Sequence, residues 1–554
     1  MPLPAEYARV VQHSDARAWA RPAAVMALGS LPWLNPFASG PSAAVAPWLA
    51  SMACGLGLWL LAAIGASSPR APRALAWCCA GVVAWAVLSQ GLVRPETVML
   101  AGGLVLMLLA AGCGREPEIA RSLQAGFLLA AGLSAVIGLC QYFGIAPAFS
   151  PWMNVAAPGE AYANLRQPNQ YATLCWIGAA IVLFGTPTVP RAGAVALLVL
   201  LAAGSAASVS RTGMLQGLVL TVFAGMWRGP QRRGRLVLCL AAALAYFSAA
   251  VVLPVLLEAS TGAMPARTLW GRLGGGEGCS SRLVLWSNVL HLIALKPITG
   301  WGWGELDYAH FDTLYAGPRF CDILDNAHNL PLHLAVELGL PLAVLVCGAG
   351  VLWAWRQRPW REEAPQRQLA WAIVALILLH SLLEYPLWYG PFQIAFGASL
   401  GWLMLREQVP RAQQSGRALA LVAGIVLLAA AAYAAWDYTR VSQIYLSPEH
   451  RRSAWKDDTL AQVRRSWLFS GQARFADLTL ATPQGDNAEW MYPLSLAVLH
   501  YSPEPRVIER AIESATYLGH ADEAVLLLAR YRAAFPRDYE AWRQSQKMPM
   551  PAQR

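Results

Sequence analysis

The sequence predicts an all-α, polytopic integral membrane protein, and three observations predict it. Of its 554 residues, 56% are hydrophobic and only 13% charged, with 24 tryptophans and a mean hydropathy of +0.40. A soluble chain of this size does not carry so little charge. The apolar residues fall in runs close to the roughly 20 residues that cross a bilayer, and basic residues collect in alternate short connections between the runs.

In chain order the runs are 20–34, 43–66, 72–93, 97–113, 121–143, 168–186, 190–208, 211–228 and 234–257. After a polar interval come 330–355, 368–385, 390–405 and 417–436. About 12–13 transmembrane helices are expected, the first of them short. The implied regions are N-terminal transmembrane helices at 1–257, a large loop at 258–329, C-terminal transmembrane helices at 330–436 and a helical tail at 437–554.

Orientation follows from the arginines. Arg70 and Arg73, Arg115 and Arg121, Arg228 with Arg232, Arg233 and Arg235, Arg356 with Arg358, Arg361 and Arg367, and Arg406 with Arg411 and Arg417 occupy alternate connections. Those connections are therefore expected to be cytoplasmic, together with the N-terminus and its Arg9, Arg17 and Arg21. No basic stretch, short apolar core and small-residue cleavage site occur in that order, so the N-terminus is expected to be uncleaved. The net charge of +10 is then mostly topological, and no interleaved basic and aromatic surface suggests a nucleic-acid partner.

By alternation the other face receives 144–167, the Ser208–Arg211 turn, 258–329, the 385–390 turn and everything after about 437. In a Gram-negative cell this is the periplasmic face of the inner membrane. Eight cysteines (Cys54, Cys78, Cys79, Cys113, Cys140, Cys175, Cys239, Cys347) lie in or beside apolar runs and read as small hydrophobes. Cys279 and Cys321 alone sit in the large loop, where an oxidising compartment could join them. No His/Cys spacing suggests zinc, and no metal or cofactor is expected.

After Pro483 the tail reads as amphipathic helices at Ala488–Tyr501, Glu504–Leu518 and Ala521–Phe535, with Pro536 as the stop. They resemble degenerate tetratricopeptide-type pairs, too few for an array. Either a helical cap or a docking surface fits.

Chemistry concentrates on the outer face. Arg166-Gln167-Pro168-Asn169-Gln170 enters a helix, with Pro168 suited to its first turn; such an entry suits an anion or sugar, although an arginine there also serves as a snorkelling anchor. Arg211 stands on the same face, where orientation needs no positive charge. In the large loop, Ser281-Arg282 precedes an amphipathic segment ending near His291, and the glycine run from Gly300 to Gly304 reads as an aromatic turn, since it lacks the flanks of a phosphate loop. The glycines at 274–276 suit hinges.

His328 stands among Asp325, Asn326 and Asn329 at a helix entry. Histidine is a usual general base near neutral pH, and a neighbouring carboxylate can fix its tautomer; capping a helix is the plainer alternative. His380 and Glu384 share a helical face four residues apart, with Tyr385 following, and charge buried there needs a cavity or a partner. A structural or substrate-orienting role fits them better than a metal site.

Taken in order, Arg166-Gln-Pro-Asn-Gln, Ser210-Arg211, Arg282 ahead of the Trp-Gly-Trp-Gly turn, Ala327-His328-Asn329 and His380-Ser-Leu-Leu-Glu-Tyr-Pro-Leu-Trp388 resemble the bacterial O-antigen ligase superfamily. The last element and the tail look most like its protein O-oligosaccharyltransferase branch. The resemblance covers roughly residues 30–540. The outer turn Pro32-Trp-Leu-Asn-Pro36-Phe37 departs from it by lacking a nearby acidic residue.

The resemblance implies transfer of a preassembled glycan from undecaprenyl diphosphate to an acceptor hydroxyl, without metal. His328 would be the general base. Arg211, Arg282 and Arg166 would clamp the diphosphate, because a guanidinium fork binds phosphate oxygens in pairs. Gln167, Asn169, Asp325, Asn329, His380, Glu384 and Tyr385 would support the site. The acceptor would be a Ser or Thr of a periplasmic protein or, alternatively, lipid A-core; a glycan polymerase is a third variant. A transporter would need broken polar helices at mid-membrane and repeat symmetry, and neither is evident.

Overall fold

The computed structural model describes residues 5–37, 43–65, 69–91, 93–114, 116–186, 190–265, 268–269, 278–404 and 415–547. Arg115, Arg406, Arg411 and the glycines at 274–276 lie outside them, as do the side chains of Arg9 and Arg17. The described residues are helical, with no strand among them, and the protein is an all-α polytopic membrane protein.

It forms two compact units. The first comprises Met1–Cys79, Ala101–Gly275 and Val351–Ala432, and the second Ala80–Leu100, Gly276–Gly350 and Tyr433–Arg554. The helices through the first half of the chain are α1 (Ala5–Leu34), α2 (Val45–Ile64), α3 (Arg73–Gln90), α4 (Pro95–Cys113), α5 (Pro117–Tyr142), α6 (Pro168–Phe184), α7 (Arg191–Ala207), α8 (Arg211–Met226) and α9 (Arg232–Thr261). The large loop contributes α10 (Arg282–Leu295) and α11 (Leu306–Asp312), followed by α12 (Leu330–Leu338), α13 (Leu340–Gln357), α14 (Pro365–Ser381), α15 (Gly390–Leu403) and α16 (Ser415–Val441).

Among the described residues, seven helices are long and apolar enough to span a membrane: α2, α3, α4, α5, α9, α13 and α16. The expected spans at α6, α7, α8, α14 and α15 are helices of 14 to 17 residues. Nearly every residue of α6 and α15 is buried. A helix enclosed by protein need not match the hydrocarbon thickness, because its ends are satisfied by protein loops.

In the first unit α1 packs along α5, α5 against α6 and α7, and α6 against α8 and α14. Trp33 stacks edge-on against Phe392 at 4.9 Å and against Phe127 at 6.1 Å, anchoring one end of this core. Phe184 and Trp227 meet at 5.0 Å elsewhere in it.

The arginines read as topological signals also terminate helices. Arg21 donates to the carbonyl of Leu61 (3.3 Å), Arg235 to Leu183 (3.1 Å), Arg367 to Leu403 (2.6 Å) and Arg417 to Ile64 (2.9 Å). Each supplies a donor to a C-terminal carbonyl at a helix end, and the Leu61 carbonyl also accepts the Gly65 amide at 3.3 Å. Arg235 is itself buried and also bonds Gln368 at 2.9 Å.

Three boundaries differ from expectation. The run 330–355 is two helices, α12 and α13, because Gly339 (φ +86°) interrupts it. A Cβ at Gly339 would lie 2.0 Å from the carbonyl oxygen of Ile298, and one at Gly300 (φ +70°) 2.4 Å from the backbone of Glu337. Only glycine permits both the approach and the conformation. Trp301 and Gly302 accordingly donate their amides to Val336 and Glu337 at 2.9 Å, so the aromatic turn is pinned to the end of α12.

The last apolar run continues to Val441, where Asp437 is fully buried between Arg440 (2.6 Å) and Ser466 (2.7 Å). Pro536 opens a further helix instead of ending the tail, since proline suits a first helical turn as well as a stop. The tail is α17 (Thr459–Val463), α18 (Ser470–Leu480), α19 (Ala488–Leu499), α20 (Pro505–Tyr517), α21 (Ala521–Ala534) and α22 (Pro536–Lys547). Its core, with Val498, Ile508, Leu527 and Tyr531, takes in Phe311 from α11, so the tail and the large loop share one hydrophobic cluster.

Candidate active site

In the first unit the predicted residues converge on the start of α6. Gln167 is its N-cap, accepting the amide of Gln170 at 2.7 Å, and Arg166 just before it adopts φ +59°. Asn169 donates to Glu384 Oε1 (3.1 Å) and accepts the Ser210 hydroxyl (2.6 Å). One turn on, the Thr173 hydroxyl donates to the Asn169 carbonyl (2.8 Å), accepts from Gln216 (2.9 Å) and meets His380 Nδ1 at 3.0 Å.

The pair His380 and Glu384 therefore faces the pair Asn169 and Thr173, each four residues apart. The expected continuous helix through Glu384 is not present. α14 ends at Ser381, and the Glu384 amide still reaches the His380 carbonyl at 2.8 Å in the turn that follows. Tyr385 stacks on Tyr389 at 5.9 Å beyond it. Thr173, Ser210, Gln216 and His380 are fully buried. A network this enclosed fixes side-chain positions only because its members satisfy one another.

Arg211 opens α8 at an exposed position, next to the N-cap Ser210, which accepts the Gly213 amide at 3.0 Å. Val209 before it has φ +52°. For a β-branched residue this is a strained conformation, costing on the order of 1–3 kcal/mol, of the kind that gathers at functional sites.

The sequence reading missed what holds Arg166. Gln141, fully buried, donates to the carbonyls of Asn154 (2.7 Å) and Ala163 (3.0 Å) and accepts the amides of Tyr162 (3.0 Å) and Ala163 (2.7 Å). Asn164 donates to Leu34 and Trp152 at 2.9 Å and accepts the Asn154 amide. Two amides thus fold the 144–167 segment and set the turn carrying Arg166.

In the second unit Arg282 is the first residue of α10, behind its N-cap Ser281, which accepts the Val284 amide. Cys279 and Cys321 are joined by a disulfide with a Cα separation of 5.4 Å, tying the segment before Arg282 to the one before Asp325. His328 is half-buried and adopts φ +49°, with its amide on Asn326 Oδ1 at 2.9 Å. Asn329 caps α12, accepting the Leu332 amide at 3.1 Å.

Beneath this turn lies a pair that the sequence reading passed over. His333 accepts the Ala327 amide on Nδ1 at 3.5 Å, leaving Nε2 to donate to Glu337 at 3.2 Å, and Glu337 also accepts the Gly304 amide at 3.0 Å. Both side chains are only 2% exposed. Asp325 keeps an exposed edge, yet desolvation by surrounding protein pushes its carboxyl above the usual range, opposed by His328 and His333.

Further along the loop, Glu305 pairs with Arg94 and with His500 (2.6 Å), which stacks on Tyr308 at 3.7 Å. His310 sits between the Tyr315 hydroxyl (2.8 Å) and the Phe320 carbonyl (3.0 Å), and burial, with Arg319 nearby, depresses its pKa to about 3. Among the described residues no cluster of three His, Cys, Asp or Glu side chains could hold a metal ion.

Of the predicted residues, Arg166, Gln167, Asn169, Arg211, His380, Glu384 and Tyr385 belong to the first unit, and Arg282, Asp325, His328, Asn329, Cys279 and Cys321 to the second. The chain carries a match to the family model described as O-Antigen ligase over residues 196–347. It carries another to that described as Virulence factor membrane-bound polymerase, C-terminal, over 368–548. It is 25% identical over 304 residues to a general O-oligosaccharyltransferase of Acinetobacter baylyi, covering 50% of this chain and 52% of that protein. It is 24% identical over 206 residues to a ComP-specific O-oligosaccharyltransferase of the same organism, covering 36% of this chain and 34% of that protein. The chain thus spans about half or less of the curated relatives it matches, and it is related to O-antigen ligases and O-oligosaccharyltransferases.

Proposed function

We propose that this relative of the O-antigen ligases and O-oligosaccharyltransferases is a metal-independent glycosyltransferase of the bacterial inner membrane. It moves a preassembled glycan from undecaprenyl diphosphate to a Ser or Thr hydroxyl of a periplasmic protein. The observation that carries the reading is His328: a half-buried imidazole in a left-handed backbone, braced by Asn326 and by the buried His333–Glu337 pair. A non-glycine residue is kept in that conformation only where its surroundings over-determine it.

In the reaction the acceptor hydroxyl attacks the anomeric carbon while His328 takes its proton. The bond from that carbon to the phosphate oxygen breaks, and the lipid diphosphate leaves with its charge held by Arg211, Arg282 and Arg166. One displacement inverts the anomeric centre. The names of the two curated relatives support a protein acceptor. The C-terminal family match, described as a polymerase, favours a second reading in which the acceptor is another glycan, and ligation to lipid A-core is the third.

The test is transfer in membranes supplied with undecaprenyl-linked glycan, a periplasmic acceptor protein and lipid A-core. Glycan on the protein, abolished by His328→Ala, is the expected result. Lengthened glycan on the lipid carrier makes the enzyme a polymerase, and product on lipid A-core makes it a ligase. Undiminished transfer by the variant removes His328 as the base.

A further inference from the structure

The tail takes no part in the reaction above, yet hydrogen bonds join it to the turn that holds the His328 brace. All the residues concerned lie in the second unit. The 301–305 turn grips the end of α12 at several points. Trp301 and Gly302 donate their amides to Val336 and Glu337, the Trp303 ring meets His333 edge-on at 5.5 Å, and the Gly304 amide donates to the Glu337 carboxylate at 3.0 Å. One turn thus touches both members of the buried pair, and His333 of that pair accepts the Ala327 amide next to His328.

Glu305 ends the turn. Its side chain is 6% exposed and carries a donor on each oxygen, Arg94 on Oε1 and His500 Nδ1 on Oε2 at 2.6 Å. A carboxylate this enclosed depends on its partners, and with a different donor on each oxygen it cannot turn freely. Gln90 donates to the Trp303 carbonyl at 3.0 Å. The 80–100 segment therefore pins the turn through Gln90 and Arg94, and the tail pins it through His500. His500 directly follows α19, whose Val498 and Leu499 lie in the tail core, so the packing of the tail sets its position.

We infer that Glu305 and His500 are positioning residues for the base. Through the Glu305 carboxylate and the 301–305 turn, the tail sets the His333–Glu337 pair and with it His328. The inference rests on the transferase reading above. A cap alone would need only the contacts at the other end of α11, where Phe311 enters the tail core and Asp312 pairs with Arg530 at 2.8 Å.

The test measures transfer by the full chain in membranes supplied with undecaprenyl-linked glycan and a periplasmic acceptor protein, each at varied concentration. A misplacement of about 1 Å far from the chemistry can cost a hundredfold. His500→Ala, which leaves Arg94 on Glu305, should lower kcat by about tenfold and leave both KM values unchanged. His500→Asn, whose side-chain amide can stand where Nδ1 stood, should recover most of that loss. Arg530→Gln cuts the tail tie at the other end of α11 and should transfer as the wild type does. Thermal unfolding of each variant in nanodiscs reports the state of the fold.

Wild-type transfer by His500→Ala would confine the tail to holding the fold and leave the transferase standing. So would a loss that His500→Asn does not recover, or one that Arg530→Gln shares in step with a lowered melting temperature. A raised KM for the acceptor with kcat unchanged would make His500 a docking residue and overturn the positioning role. Wild-type membranes that transfer no glycan would overturn the transferase reading itself, and transfer that survives His328→Ala would remove the base; the inference falls with either.

Discussion

Replacing His333 with leucine tests whether the His328 turn is held from beneath. Both His333 and Glu337 are 2% exposed, so the substitution leaves a buried carboxylate that has lost its imidazole and keeps the Gly304 amide. Breaking a buried pair by removing one partner costs about 3–5 kcal/mol, and the retained Gly304 bond places this case near about 3 kcal/mol. Glu337→Leu alone and the double variant complete a cycle. Thermal unfolding in detergent, followed by tryptophan fluorescence, should show His333→Leu strongly destabilised and His333→Leu/Glu337→Leu largely recovered. Transfer should stay low in the double variant, because the Ala327 amide beside His328 still lacks its acceptor. Additive effects, within about 0.5 kcal/mol, would show that the two residues do not act as a pair; full transfer by the recovered double variant would show that the brace does not position His328.

The pKa of His310, depressed by burial to about 3 from the ordinary imidazole value of about 6.5, makes the loop acid-sensitive. The stability it contributes is present above about pH 6.5 and lost as pH falls toward 3, amounting to about 2 kcal/mol between neutral pH and pH 5. Proteolysis of the loop should accelerate over that window and do so less in His310→Gln. Cys279→Ser should also make the loop more readily cleaved, since a bridge across 42 residues of sequence is worth up to about 4 kcal/mol in the chain-entropy account; equal cleavage with and without reductant would deny the bridge that role. Arg211→Gln should lower kcat/KM for transfer by about a hundredfold, roughly 3 kcal/mol, with little recovery in Arg211→Lys because a point charge lacks the paired donors. Unchanged kinetics would remove Arg211 from the diphosphate-binding set.

The membrane class and most helix positions were readable because hydropathy and length decide them together. The elements around Arg166, Arg211, Arg282, His328 and His380 were readable as polar groups at helix entries. What was hidden depended on partners far along the chain. Gln141 and Gln216 look like scattered polar residues in apolar runs until the fold supplies their acceptors 13 to 160 positions away. Gly339 is one small residue inside a continuous apolar run, and only the approach of Ile298 shows why the helix breaks there. His333 and Glu337 have the same four-residue spacing noticed at His380 and Glu384, so their signal was present and went unread. Pro536 carried a true ambiguity, since proline suits both the end of one helix and the start of the next.

The guanidinium groups that close the helix ends also impose an order on assembly. Arg417 reaches back 353 residues to the carbonyl of Ile64, at the end of a helix synthesised far earlier. Until that late segment arrives, the exit of α2 lacks this donor, so a nascent chain stopped before it would present an unfinished edge to the insertion and quality-control machinery. Lysine is confined to Lys296, Lys456 and Lys547, none at these helix ends. An orientation signal built from lysine would insert the same way, yet it would lack the branched donor set with which a single arginine can both bond a carbonyl and pair elsewhere, as Arg21 does with Glu116.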